Sequence, residues 1–385
     1  MQVDVSVRPT YELWPDADGN PQLMIKVAVI GLGKMGLSHL AIANGLSGIE
    51  IVAIVDSAPL VGSGLSKITG IRHISDAREA LKLDGLDAII VATPTASHEA
   101  IVREALARGL HVFCEKPLTL SDEVSRELGA LAADKGLVAQ VGYHNRFVAC
   151  FGELKRLIDA GAVGKVSHVL AEAYGPVVTR PAKATWRGKA ELGGGALMDY
   201  AAHPLNLLNW YFGPATGCDS AVLSQICSKA VEDEVYASLR FADVSAQLSV
   251  NWSDASQRKM TTQVTVWGEH GKLYADRQEV RAFLTDPATV PEGYSAGWNV
   301  RYTTELTQPV EFYIRGEEYS AQLEAFRDRI AGQSSADASS FDDAADTDAA
   351  IQLIRAAADG EIAPLPVVAA NDERRGLLSR VLGRP

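Results

Sequence analysis

The apolar run Ile25–Ile30 breaks directly into Gly31-Leu32-Gly33-Lys34-Met35-Gly36, and a helical pattern follows. Few folds accept that order. A strand that is apolar without alternation is buried on both faces and belongs inside a parallel sheet. Glycines with this spacing permit a tight turn and let the backbone lie against a pyrophosphate seated on the positive end of a helix. The alternation continues to about residue 142: residues 49–55, 88–92, 111–114 and 137–141 read as strands. Residues 100–108, closed by Gly109, and 121–135, closed by Gly136, read as helices, with Ser121 as N-cap and Asp122 and Glu123 in the favourable first turn. Strands alternating with helices predict a doubly wound parallel sheet.

Past residue 147 the pattern changes. Helical stretches at 151–160 and 199–211 flank a strand near 166–173, and residues 234–241, 245–252, 262–267 and 272–275 alternate apolar and polar side chains. Strands of an antiparallel sheet with one wet face alternate in this way, so the second domain is of α+β type. Residues 319–330 and 346–358 read as closing helices. The expected boundaries are an N-terminal arm (1–23, rich in Pro, Asp and Gly), a dinucleotide-binding domain (24–147), a substrate-binding and oligomerisation domain with returning C-terminal helices (148–365), and a basic tail (366–385).

Composition excludes several classes of function. A net charge of −12 argues against a nucleic-acid partner. No apolar stretch reaches the roughly 18–20 residues of a membrane span, and the start lacks a basic flank before an apolar core, so the expected compartment is the cytoplasm. Cys114, Cys150, Cys218 and Cys227 show no metal-binding or disulfide spacing, so no metal is expected.

Candidate chemistry lies where predicted strands end, since ligands of such sheets bind at the carboxyl ends of the strands. Asp56 ends the second strand, 20 residues after Gly36, where a carboxylate accepts hydrogen bonds from the adenosine ribose and repels a 2′-phosphate. NAD is therefore expected rather than NADP. Thr93 and Pro94 follow the next strand and lead to Ser97 and His98, residues also suited to a capped turn. Glu115-Lys116-Pro117 follows residues 111–114 and sets an ammonium at a strand's carboxyl end. Gly193-Gly194-Gly195 precedes Asp199 and His203, which would share a helix face, where the carboxylate would orient the imidazole and raise its pKa for acid–base work. Tyr143, His144, Asn145 and Arg146 follow the strand 137–141 on the same side. Arg180, Lys183, Arg187 and Lys189, opposed only by Glu191, hint at an anionic substrate, and Trp186 could stack on a sugar ring; solvated or packed loops are the competing readings.

The glycine fingerprint, the Glu-Lys-Pro tripeptide, the triple glycine and the Asp-x-x-x-His pair, in this order over roughly residues 24–360, resemble the Gfo/Idh/MocA oxidoreductases. The resemblance implies a Rossmann domain followed by a large, open, mostly antiparallel sheet, with nicotinamide and substrate between them. By that resemblance Lys116, Asp199 and His203 are the expected catalytic residues: Lys116 would bond the reacting hydroxyl or carbonyl, His203 would exchange the proton, and Asp199 would position the lysine, the histidine or the substrate. The expected cofactor contacts are Gly31, Leu32, Gly33, Lys34, Met35, Gly36, Asp56, Thr93, Pro94, His98, Glu115 and Lys116. The expected substrate contacts are Lys116, Tyr143, His144, Arg146, Trp186, Arg187, Asp199 and His203. Ala201 stands where many relatives carry glycine, with little consequence expected because alanine suits a helix.

The implied reaction is NAD-dependent hydride transfer at a secondary hydroxyl or carbonyl of a sugar, polyol or sugar nucleotide. Two other readings stay open: an enzyme that retains NAD and uses transient oxidation for glycoside hydrolysis or elimination, and a non-catalytic dinucleotide-binding sensor or scaffold. A homodimer or homotetramer is expected, because an open sheet must cover its free face; Tyr294, Trp298 and Tyr302 could join that contact or line the cleft.

Overall fold

The computed structural model describes residues 13–15, 21–179 and 186–360. Strands β1 (Leu13–Pro15) and β2 (Pro21–Leu23) form a small antiparallel hairpin. Strands β3 (Ile25–Ile30), β4 (Ile49–Val55), β5 (Arg72–Ile74), β6 (Ala88–Val91), β7 (His111–Cys114) and β8 (Ala139–Val141) then pair in parallel. Helices α1 (Lys34–Gly45), α2 (Pro59–Thr69), α3 (Ala77–Ala80), α4 (His98–Ala107) and α5 (Asp122–Asp134) lie between them. Ser121 caps α5, its hydroxyl accepting from the Val124 N–H.

The second domain contains α6 (Ala149–Asp159), α7 (Ala202–Phe212) and one eight-stranded sheet. Its strands are β9 (Val166–Tyr174), β10 (Gly217–Ser224), β11 (Glu234–Phe241), β12 (Val244–Asn251), β13 (Thr261–Gly268), β14 (Gly271–Ala275), β15 (Glu279–Leu284) and β16 (Gly297–Tyr302), in the spatial order β10-β11-β12-β9-β13-β14-β15-β16. Only the β9–β12 pairing is parallel. Along β9, Val169, Ala171 and Ala173 are buried while the residues between them are partly open, as one covered and one free face require. On the free face His168 stacks on Trp267 at 4.5 Å and Lys272 lies over the same indole. Trp298 and Tyr302 are exposed on the edge strand, whereas the Tyr294 hydroxyl donates to Glu153 of α6.

After α8 (Thr303–Leu306), the chain returns to the first domain through α9 (Glu317–Ile330), β17 (Ser339–Ser340) and α10 (Phe341–Ala358). The first sheet is thereby completed as β17-β8-β7-β6-β3-β4-β5, with β17 antiparallel at its edge. Its two faces carry separate apolar layers. Ile25, Val27 and Val29 of β3 pack with Leu40 and Ile42 of α1 and with Leu323 and Phe326 of α9. Ala28 and Ile30 point the other way, into the core shared with α4, α5 and α10. Period-2 geometry forces this division, so Val27 to Ile30 must be apolar at every position, while Lys26 at the start of the strand is half-buried. The strand order reverses between β3 and β6, which brings together the loops after β3, β6 and β7 at the switch point where such sheets bind ligands.

Candidate active site

The loop after β3 shows what each glycine permits. Gly31 has φ +94°, and a Cβ there would fall 2.7 Å from the Ala92 carbonyl oxygen. A Cβ on Gly36 would sit 1.7 Å from the Gly31 oxygen. Gly33 is different, because nothing lies within 4 Å of its virtual Cβ and no side chain caps α1. Free helix N–H groups facing open space fit a dinucleotide pyrophosphate. Asp56 accepts from the Leu32 N–H at 2.7 Å and from the Ala58 N–H at 2.8 Å, so its carboxylate is fixed beside the loop with lone pairs left for ribose hydroxyls.

The loop after β6 is held by His98. This imidazole is buried, with Nε2 2.9 Å from the Thr93 oxygen and Nδ1 3.0 Å from the Pro117 oxygen, and burial lowers its pKa. The expectation that His98 contacts the cofactor is corrected: both ring nitrogens face backbone carbonyls, and the residue ties the Thr93–Pro94 turn to the Lys116–Pro117 loop. Thr93 and Pro94 do lie beside the glycine loop, since the virtual Cβ of Gly31 meets the Thr93 nitrogen.

Glu115 faces α1. Its Oε1 lies 2.7 Å from His39 Nε2, and its other oxygen accepts from the Lys116 N–H. Burial raises its pKa, but His39 and Lys116 outweigh burial and hold the carboxyl below its usual range. Lys116 extends across the cleft, donating from Nζ to the Asp199 carbonyl at 2.7 Å and to Asp199 Oδ1 at 3.1 Å. Arg187 Nε donates to the other carboxylate oxygen at 2.7 Å. Burial again acts to raise the pKa, yet the charges of Lys116 and Arg187 keep Asp199 low.

The triple glycine makes this arrangement possible, because a Cβ on Gly194 would meet the Arg187 carbonyl oxygen at 2.3 Å. Trp186 stacks under the Arg187 guanidinium at 4.9 Å. Arg180 and Lys183 lie outside the described residues.

The backbone from Leu197 to Ala201 is a π-helical turn that runs into α7. The expected Asp199–His203 pair does not form. Asp199 turns to Lys116 and Arg187, while the His203 ring stands edge-on to His144 at 5.0 Å and to Tyr143 at 6.4 Å. The expected pKa increase is reversed: burial, then the charges of Lys116 and Arg277, push His203 well below the ordinary histidine range. Its Nδ1 is buried with no hydrogen-bond partner. Local π-turns of this kind recur at functional sites, where they redirect side chains.

His144 is also buried, stacked on Tyr319 at 4.6 Å, and shifted low by burial and the neighbouring His203. Arg146 does not enter the cleft. Its guanidinium bonds Asn206 at 2.9 Å and Asp343 at 3.0 Å and lies over Trp210, which locks α10 onto the second domain. Beside it Asn145 is buried, its amide donating to Thr262 and its carboxamide oxygen unpartnered.

Arg277, Arg315 and Tyr319 were not found by sequence reasoning. Arg315 lies over the Tyr319 ring at 4.8 Å, and Arg277 pairs with Glu318. Both arginines border a cavity of about 210 Å³. No local motif marks these residues, which lie far along the chain from the glycine loop.

Residues 25–143 match the family model described as "Oxidoreductase family, NAD-binding Rossmann fold", and residues 151–274 match the "GFO/IDH/MocA C-terminal domain". The chain belongs to the Gfo/Idh/MocA oxidoreductase family. Its first domain is accordingly an NAD-binding Rossmann domain.

Among family members, the chain is 32% identical to scyllo-inositol 2-dehydrogenase (NAD(+)) of Bacillus subtilis (strain 168) over 49% of its length. It spans only about half of that relative, 54%. Inositol 2-dehydrogenase of Rhizobium meliloti (strain 1021) is 24% identical over 78% of this chain and 91% of that protein. A solved structure of GenD2 from gentamicin A biosynthesis, in complex with NAD, superposes with a TM-score of 0.71 at 28% identity, covering 88% of this chain and 95% of that one.

Proposed function

We propose that the protein is an NAD-dependent dehydrogenase acting on a secondary hydroxyl of a sugar or polyol, or on the corresponding carbonyl in reverse. The observation that carries this reading is the meeting of Lys116 with Asp199 opposite His203, whose ring nitrogen is buried and unpartnered. Bound at the glycine loop, NAD would supply the hydride acceptor. The chain supplies placement and a proton route.

Lys116, held on Asp199, presents an ammonium that stabilises developing negative charge on the substrate oxygen. His203 is kept neutral by burial and by nearby cations, so it can accept the hydroxyl proton; in the reverse direction it returns that proton. Similarity to enzymes named as inositol dehydrogenases supports a polyhydroxylated substrate.

The test is Lys116→Ala, assayed by NADH absorbance across a panel of sugars and polyols and by NADH titration. Turnover is expected to disappear while NADH affinity stays near that of the unmodified protein. A Lys116→Ala protein that still reduces NAD would remove Lys116 from the reaction. Turnover of sugars by the unmodified protein without net NADH formation would instead support an enzyme that retains its cofactor.

A further inference from the structure

Lys116 is anchored at both ends. Its ammonium reaches Asp199 in the second domain, and its backbone N–H donates to the Glu115 carboxylate at 3.2 Å. The Glu115 side chain is only 12% exposed and is gripped in turn from α1, where His39 Nε2 lies 2.7 Å from Oε1. A Cβ on Gly142 would fall 3.1 Å from the same oxygen, so the loop after β8 closes another side of the carboxylate. An ionised carboxylate only accepts hydrogen bonds, which places a ring proton of His39 on Nε2, directed at Glu115.

Packing keeps the ring in that orientation. His39 is fully buried, its ring stands edge-on to Phe113 of β7 at 5.2 Å, and Phe113 meets Phe326 of α9 at 5.8 Å. Nδ1 is buried with no hydrogen-bond partner. Turning the ring over would bury its N–H without an acceptor and leave Glu115 short of a donor. A purely packing role would be served better by an apolar side chain, because the unpaired nitrogen carries a desolvation cost.

We propose that His39 is a positioning residue for Lys116: through Glu115 it fixes the root of the lysine to α1, the helix whose open first turn fits the cofactor pyrophosphate. This deepens the dehydrogenase reading and rests on it. Asp199 fixes the ammonium to the second domain, whereas His39, in the second turn of α1, fixes the backbone to the cofactor side. The two anchors together set the reacting oxygen held by Lys116 in register with the nicotinamide, and catalysis is sensitive to such register, a misplacement of about 1 Å costing on the order of 100-fold.

The test uses the full chain with NAD and compares the unmodified protein with His39→Leu, His39→Gln, Glu115→Ala and the double variant His39→Leu/Glu115→Ala. Leucine removes the donor, and glutamine can return an N–H to Glu115. Turnover of sugars and polyols is followed by NADH absorbance and divided by the NADH sites counted by calorimetry, so misfolded chains do not enter kcat. Hydrogen exchange of the peptide spanning residues 115–120 reads the loop with no substrate present.

Because Asp199 still holds the ammonium, His39→Leu is expected to lower kcat per site about tenfold, with KM and NADH affinity changed less than about threefold. Exchange in the loop should quicken. His39→Gln should recover most of the turnover and the protection. Glu115→Ala breaks the same link from its other end and should lose as much as His39→Leu, while adding His39→Leu to it should cost less than about twofold more.

Unchanged kcat in His39→Leu overturns the proposal, as does a His39→Gln protein no faster than His39→Leu, or an equal loss from His39→Leu with and without Glu115. A fall in NADH affinity that matches the fall in kcat also overturns it, because His39 would then support the cofactor helix and not the lysine. If the unmodified protein forms no NADH from any probe, the dehydrogenase reading falls, and exchange in the loop still decides the link: rates equal in His39→Leu and the unmodified protein overturn it.

Discussion

Replacing Asp199 by Asn tests the centre of the site with little change in shape. The carboxylate is 4% exposed, and the Lys116 side chain that meets it at 3.1 Å is 11% exposed. At that distance and an effective dielectric of about 20, their attraction is about 5 kcal/mol. Part of this returns when the carboxylate no longer has to be desolvated, and the Asp199 carbonyl still accepts from Lys116 at 2.7 Å. Breaking a buried pair costs about 3–5 kcal/mol, and the lower end applies here because of that retained bond. Arg187 is more open, at 41%, so losing its pairing adds less than about 1 kcal/mol.

A total near 3 kcal/mol corresponds to a fall in Tm of roughly 4 °C for a protein of 385 residues. If the same interaction holds Lys116 against the reacting oxygen, kcat falls about 100-fold. Thermal melts, steady-state NADH formation and NADH titration read the three quantities. Asp199→Asn is expected to lose stability and kcat together while NADH affinity changes less than about threefold, because the glycine loop is untouched. A variant that melts with the unmodified protein, or that keeps its kcat, would show that the Lys116–Asp199 contact does not organise the site.

Three further outcomes follow from the geometry. Gly33→Ala is expected to keep the unmodified Tm, since its Cβ meets no protein atom, yet to weaken NADH binding by about tenfold or more, because the methyl occupies the pyrophosphate's approach; unchanged NADH affinity would remove the loop from the cofactor site. His203 stays neutral below the ordinary histidine range, so kcat/KM for oxidation should remain flat as pH falls to about 6.5 and decline only below it; an acidic limb centred above pH 7 would refute His203 as the base. Burial raises the pKa of Asp348, bonded by Ser125 Oγ at 2.7 Å, to about 8. Its folded value lies above its unfolded value, so its contribution to stability is lost as pH rises through 8, and from pH 7 to 9 the loss is about 1 kcal/mol. Asp348→Asn should remove that decline in melting temperature, and an unchanged pH slope would contradict a protonated Asp348.

Much of the fold is legible from local pattern. The strands β3, β4 and β7 fall at Ile25–Ile30, Ile49–Val55 and His111–Cys114, as their apolar runs predict, because parallel strands buried on both faces need no partner to be recognised. Short or half-wet strands are less visible: β5, β10, β15 and β16 are set by pairing along the sheet, which no window of neighbouring residues contains. Four-residue spacing predicts an Asp199–His203 pair, but both Asp199 carboxylate oxygens are taken by Lys116 and Arg187, contacts that lie outside the helix and that no helical spacing contains.

The sequence by itself determined the Rossmann domain, its glycine loop and the position of Lys116 at the end of a strand. These are local facts, fixed by periodicity and by what glycine alone can do. Tertiary structure decided what Lys116 faces: its carboxylate partner lies 83 residues away, and His39, 76 residues from Glu115, anchors the same loop from α1. It also turned Arg146 and His98 from expected ligand contacts into structural ties and brought Arg187 to the carboxylate that Lys116 holds. Charge acts over ångströms in space with no regard for separation along the chain, so a site made by converging charges becomes visible only once the chain has folded.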